Sequence, residues 1–195
     1  MSIPPSIIIG DFKIEPPRLD LNPKDEKLVK GLLDVFSLEE VTKYNDNYKL
    51  SSDYEVEERI YNISMAFGRE LFYTYRLYDM KTDRLIGTIE LLAPVSVNES
   101  HPSISKFCFQ TGDAVRNKIW LIEYYLHPDY WRKGIMTKAV SAIIKELFEI
   151  NAGCVAALCH NRNAPGSKFL SKMKFVNMIR YKGMKDHSLW IKKRV

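Results

Sequence analysis

The chain has 195 residues, 46% apolar and 27% charged, with a net charge of +5. That length suits one compact domain, expected over residues 1–195, with room for a sizeable core, and the composition excludes collagenous and low-complexity classes. No run of 18 apolar residues exists, and "SIPPSIII" at the start is too short and too broken by proline for a secretory leader, so the reading is a cytoplasmic protein without membrane association.

In chain order, "FKIEPPRLDL" reads as a first strand interrupted by Pro16 and Pro17, bulged or at an edge. "NPKDEKLVKGLLDVFS" reads as a helix with Asn22 as cap and Pro23 at its first position. "SSDYEVEERIYNISMAFGRE" reads as a second helix, with Val56, Ile60, Ile63 and Phe67 spaced three to four residues apart. Two β-rich runs then flank the turn "DMKTD". Residues 94–117 read as a long irregular connection. "KIWLIEYYL" is the strongest strand pattern. The helix from Thr137 to Ile150 follows it, and then "CVAALC", apolar throughout as a strand buried on both faces should be. "SKFLSKMKF" reads as a short helix, and "FVNMIRYK" with "HSLWIKK" as a terminal hairpin. The expected order, β-α-α-β-β-β-α-β-α-β-β, describes a three-layer α/β (α+β) domain with a mixed, mostly antiparallel twisted sheet and helices on both faces.

Charge is unevenly placed. Residues 39–58 hold seven acids against Lys43 and Lys49, while residues 168–194 hold nine bases against Asp186 alone. The bases are spread over a helix and two strands without a nucleic-acid motif, which argues against nucleic acid as a partner. An anionic cofactor beside the basic half is the narrower reading. Cys108, Cys154 and Cys159 are odd in number and lack CxxC spacing, as reduced buried thiols would be, and no His/Cys/Asp cluster has metal-ligand spacing.

The segment "LHPDYWRKGIMTKAV" sets a glycine-bearing turn between a strand and a helix, where backbone N–H groups have no helical partner. A pyrophosphate can dock there on the positive end of the helix dipole. "EYYLHPDYWRKGIMTKAV" resembles the acetyl-CoA-binding segment of the GNAT acyltransferases, and "YW-x-KG-x-(Ala/Met)-T" is similar to their ribosomal-protein N-terminal acetyltransferase (RimJ/RimL-like) branch. Trp131 stands where Gln or Arg is usual, and Met136 replaces a small residue. "NRNAPGSKFLSKMKF" resembles a second segment of that branch, with Asn163 and Phe175 matching and Gly166 and Lys174 departing. The element order matches along nearly the whole chain.

The resemblance implies transfer of an acetyl group from acetyl-CoA directly to a primary amine, and a splayed central strand pair. Its cofactor-binding residues would be Tyr124, Tyr125 and Leu126 along the pantetheine arm and Arg132, Lys133, Gly134, Ile135, Met136 and Thr137 at the phosphates. Asn163 would face the cofactor or cap its own helix, and Lys168 would add positive charge. Acceptance of the amine proton needs a base; Glu123 and Glu90 are the candidates. Leu170 stands at the position of the tyrosine acid of other branches, so Tyr124 could substitute. His127 reads as an exposed loop residue. A homodimer is compatible with the pattern. The alternative is a non-catalytic CoA-binding or interaction module on the same fold. The acidic region would wall the acceptor side and attract a protonated amine: a protein N-terminus, a basic peptide or a polyamine-like molecule.

Overall fold

The computed structural model describes residues 6–110, 118–179 and 181–194. They fall into two compact units, Met1–Glu90 with Tyr124–Ala139, and Leu91–Glu123 with Val140–Val195.

In the first unit, β1 (Ile7–Ile9) and β2 (Phe12–Glu15) form an antiparallel hairpin around Gly10 and Asp11. β2 pairs antiparallel with β3 (Phe72–Asp79), Ile14 opposite Leu77. β4 (Arg84–Leu92) follows, and then the last residues of β5 (Ile119–Leu126). The expected single first strand is thus a hairpin, and its second arm stops before Pro16, which has no N–H to extend a ladder. α1 (Glu26–Phe36) begins three residues later than the position of Pro23 suggested. Asp25 is its cap, accepting from the N–H groups of Lys27 and Leu28, while Asn22 closes a preceding turn through the N–H of Lys24. A four-residue α2 (Glu39–Thr42), a 3-10 turn (Asp46–Tyr48) and α3 (Asp53–Gly68, capped by Ser52) complete the unit. Leu28, Leu32, Val35 and Phe36 of α1 and Val56 and Ile60 of α3 bury against Leu85 and Tyr125.

In the second unit the strand order is β5, β6 (Cys154–His160), β8 (His187–Lys193), β7 (Val176–Asn177). β6 with β8, and β7 with β8, are antiparallel; β5 with β6 is parallel. The sheet is mixed and mostly antiparallel, as expected. The expected terminal hairpin is present, but its first arm is only two residues long, Val176 opposite Ile191. β5 and β6 pair at Ile119↔Cys154, Trp120↔Val155 and Leu121↔Ala156, and the register stops there although both strands continue.

The expected irregular connection over 94–117 is corrected in its described part. It forms α4 (Pro94–Ser100) and α5 (Pro102–Gln110); residues 111–117 lie outside the described residues. Each helix opens on proline, whose missing N–H costs nothing in a first turn. Val97, Ile104 and Cys108 face a core with Ile119, Leu121, Cys154, Ala156, Leu189 and Ile191. α6 (Ile135–Glu149) and α7 (Ala164–Lys172) complete this unit, α6 beginning in the first.

Candidate active site

The turn between β5 and α6 is built from its side chains. Tyr130 and Trp131 donate their N–H groups to His127 and Pro128, closing one 3-10 turn. The indole N–H of Trp131 reaches back to the Leu126 carbonyl at 2.7 Å. Arg132 (φ 60°) and Gly134 (φ 74°) both take left-handed backbone. Intrahelical bonding starts when Lys138 donates to the Gly134 carbonyl, so the N–H groups of Ile135, Met136 and Thr137 have no acceptor within the helix. A Cβ built on Gly134 would meet nothing within 4 Å, so its positive φ and the open space in front of it, not crowding, suit glycine. Three consecutive N–H groups, a helix dipole and exposed Arg132 and Lys133 form a cradle that fits a pyrophosphate. The side chains of Ile135 and Met136 are buried, so only their main chain can serve a ligand. Thr137 is half-buried at the same helix start.

The three residues expected to hold the pantetheine arm separate. Tyr125 turns its ring into the α1–α3 core, 5.0 Å from Phe36 and 4.8 Å from Tyr48, and its hydroxyl accepts from Asn45 at 3.2 Å. Its carbonyl faces β4: a Cβ on Gly87 would lie 2.2 Å from it, which only glycine avoids. His127, two residues on, donates its N–H to Ile86 on that side. Tyr125 is therefore a structural anchor and is withdrawn from the cofactor-binding set. Strand alternation directs the main-chain groups of Tyr124 and Leu126 away from β4, and the Leu126 carbonyl holds the Trp131 indole.

Glu90 is corrected as a direct base. It is 0% exposed, accepts from Arg59 Nη2 at 2.6 Å and from Thr88 Oγ1 at 3.3 Å, and cannot meet an amine arriving from solvent. Arg59 lies against the neighbouring rings of Phe36 and Tyr48, its Cζ 4.5 Å from each centroid. Glu123 is half-buried on β5, two residues past its last pairing with β6. By alternation its side chain shares a strand face with Tyr125; Tyr124, also half-buried, is on the other face.

In the second unit, Asn163 caps α7 by accepting from Gly166 N–H at 2.9 Å, and Lys168 is exposed on that helix. Leu170 is buried. His127 is not the exposed loop residue expected. Its side chain is 12% exposed, and Nε2 lies 3.1 Å from Arg84 Nη2, which donates to it. Burial, reinforced by the Arg84 charge, holds the imidazole below its ordinary pKa.

A cavity of about 450 Å³ opens in the first unit, lined by Tyr48, Leu50, Glu55, Glu58, Arg59 and Ile63 among others. Glu55 accepts from the N–H and hydroxyl of Ser51, which hold its carboxyl below the usual range. The acidic stretch thus contributes two carboxylates, Glu55 and Glu58, to a cavity that also holds the cations Lys49 and Arg59.

The family profile described as an acetyltransferase (GNAT) domain matches residues 18–176, most of the chain. The protein belongs to the GNAT acetyltransferase family. It is an acetyl-CoA-dependent N-acetyltransferase. No curated protein sequence matches the chain. Among solved structures it is similar to the ribosomal-protein-S5-alanine acetyltransferase of Vibrio fischeri (15% identity, 96% of each chain covered, TM-score 0.61). It is also similar to the Salmonella typhimurium acetyltransferase that modifies the N-terminal serine of L7/L12 (12% identity, 96% and 97% covered, TM-score 0.66). A microcin C7 self-immunity acetyltransferase, solved with acetyl-CoA and AMP, is a third (13% identity, 95% and 94% covered, TM-score 0.64). At these identities the likeness is one of fold. For a GNAT chain, sequence reading missed Arg59, Tyr48 and Phe36. Their ring contacts join residues 11 to 23 positions apart, and no local spacing marks them.

Proposed function

We propose that the protein moves the acetyl group of acetyl-CoA to a primary amine, with the phosphates on the N–H groups of Ile135, Met136 and Thr137 and the pantetheine arm along β5 beyond Leu121. The observation that carries this is the early end of the β5–β6 register at Leu121↔Ala156, just ahead of a strand end that runs straight into the Gly134 turn. Arg132 and Lys133 add attraction for the phosphates. The bound ammonium first releases one proton to solvent to become the neutral nucleophile; Glu123 then takes a second proton as the C–N bond forms and the C–S bond breaks, and the departing thiolate is protonated from Tyr124 or from water. Transfer is direct. All three thiols are buried, and burial pushes the Cys159 thiol up, away from the thiolate an acyl-cysteine route would need.

The acceptor lies in the 450 Å³ cavity, where Arg59 is neutralised by Glu90, so Glu55 and Glu58 outweigh Lys49 and draw in a protonated amine, and Leu50 and Ile63 hold its apolar part. Acetyl-CoA at about 100 times its Kd should raise stability by about 2.7 kcal/mol; a melting temperature that does not move would remove the cofactor reading. A screen of Ser- and Ala-starting peptides, lysine peptides, polyamines and aminoglycosides at two salt concentrations then tests the acceptor. Preference for a neutral or anionic acceptor, or indifference to salt, would refute the role given to Glu55 and Glu58.

A further inference from the structure

Arg59 belongs to two structures at once. With Tyr48 it lines the cavity. With Phe36 and Tyr48 it also belongs to the aromatic cluster that receives Tyr125 from β5. Its Nη2 is tied to the fully buried Glu90, so the guanidinium is held at its edge by a charge and rests against two neighbouring rings. Tyr125 in turn is fixed at its hydroxyl by Asn45 and at its backbone by the close approach to Gly87.

The loop over residues 43–50 makes main-chain bonds from Lys43 to Glu39, Asn45 to Thr42, Tyr48 to Asn45 and Leu50 to Phe36. It follows a four-residue helix and contains only one three-residue 3-10 turn. Side-chain anchors add to these bonds, and two of the anchors, Asn45 and Tyr48, end on Tyr125. Leu50, the third, buries in the same core. Whatever restrains β5 at Tyr125 restrains the loop that forms one wall of the cavity.

We propose that Arg59 is a positioning residue that couples occupation of the β5–α6 edge by CoA to the order of loop 43–50, acting through Tyr48 and Tyr125. The proposal rests on the cofactor reading above. A ligand lying along β5 limits the motion of the strand end. The Tyr125 ring then holds Tyr48 and Asn45 more persistently, and the cavity wall closes. The guanidinium keeps the Tyr48 ring in the orientation that stacks on Tyr125, interplanar angle 26°. Lysine would keep the charge near Glu90 but has no plane to lay against the two rings. By linkage, filling the cavity tightens CoA by the same factor.

Hydrogen–deuterium exchange of the full chain, with and without CoA, tests this. In the wild type, CoA slows exchange both at 134–137 and over 43–50, the latter by about fivefold or more. In Arg59→Lys and in Tyr48→Leu the response at 134–137 remains and that over 43–50 is lost. Tyr48→Phe keeps both, because the ring and not the hydroxyl carries the coupling. An Arg59 that serves stability alone would lower the melting temperature and leave the CoA response of the loop intact. Protection at 134–137 without protection over 43–50 in the wild type overturns the coupling only, as does a loop response that survives in Arg59→Lys or Tyr48→Leu. Protection at neither segment overturns the cofactor reading and the coupling together. If Arg59→Lys does not fold, the Tyr48→Leu and Tyr48→Phe pair decides.

Discussion

The indole N–H of Trp131 donates to the carbonyl of Leu126 at 2.7 Å, so the residue that departs from the family pattern closes the turn that follows β5. Trp131 is 42% exposed, and its bond is made where solvent competes. Trp131→Phe keeps a ring and deletes the donor. A hydrogen bond of this kind is worth about 1 kcal/mol net, so global stability should fall by no more than that. CoA affinity, measured by calorimetry, should fall about fivefold as the turn loosens. Unchanged affinity would mean that the turn is held by its main-chain bonds alone.

Gly134→Asp should abolish CoA binding and leave a folded protein. The new carboxylate would sit at the helix start, in the space the phosphates need, and the left-handed backbone adds about 1–2 kcal/mol of strain. Gly134→Ala carries the same strain without the charge. Equal loss of CoA affinity in both variants would assign the effect to backbone strain.

Breaking the Arg59–Glu90 pair from one side should be severe. Glu90→Leu leaves the Arg59 guanidinium, 15% exposed, without its carboxylate. Removing one partner of a buried pair costs about 3–5 kcal/mol. Arg59→Met with Glu90→Leu should recover much of that in urea denaturation, because no lone charge remains. A single variant that loses less than about 1 kcal/mol would show that water reaches the pair.

Acidification should destabilise the fold below the ordinary histidine pKa of 6.5. His101, His127 and His187 are each held below that value, first by burial, with Arg84 adding at His127 and His160 at His187. A group with a depressed folded pKa binds more protons when unfolded, so stability falls as the pH drops from 6.5 toward the folded values and levels off below them. Urea midpoints between pH 7.5 and 5 measure this. His127→Gln should flatten part of the slope, and a slope unchanged by that substitution would remove His127 from the effect.

Glu123→Gln should lower kcat strongly, since acceptance of the amine proton contributes about 10²–10⁴-fold, and leave the Kd of acetyl-CoA unchanged. A flat kcat would transfer proton acceptance to water.

The legible parts of the sequence were those where one short segment carries its own instructions. "KIWLIEYYL" followed by "HPDYWRKG" announced a buried strand, a turn and a helix start, and β5, the Gly134 turn and α6 lie there within two residues. Asn163 left two roles open, facing the cofactor or capping its own helix, and the cap is present. The segment 94–110 was misread because Ser, Asn and His dilute its helical spacing; the better signal was a proline at the start of each helix, Pro94 and Pro102. Tyr125 and Glu90 were misplaced for another reason. Alternation says that a strand residue has a face but not what waits there, and their partners, Tyr48 and Arg59, come from distant turns of chain. The Tyr125 carbonyl against Gly87 is likewise a meeting of two strands that neither sequence segment displays.

The three thiols, Cys108, Cys154 and Cys159, are all buried and none is in a disulfide. While the chain is folded, alkylating reagents and oxidants should find nothing to react with, so a single cysteine introduced at an exposed site such as Lys43 can carry a probe on the cavity-wall loop without background labelling. Once unfolded, the same three sulfurs become accessible together, and their odd number leaves at least one to cross-link between chains. Recovery from heating should therefore depend on reductant, and the protein's shelf life in air should follow its rate of opening more than its equilibrium stability.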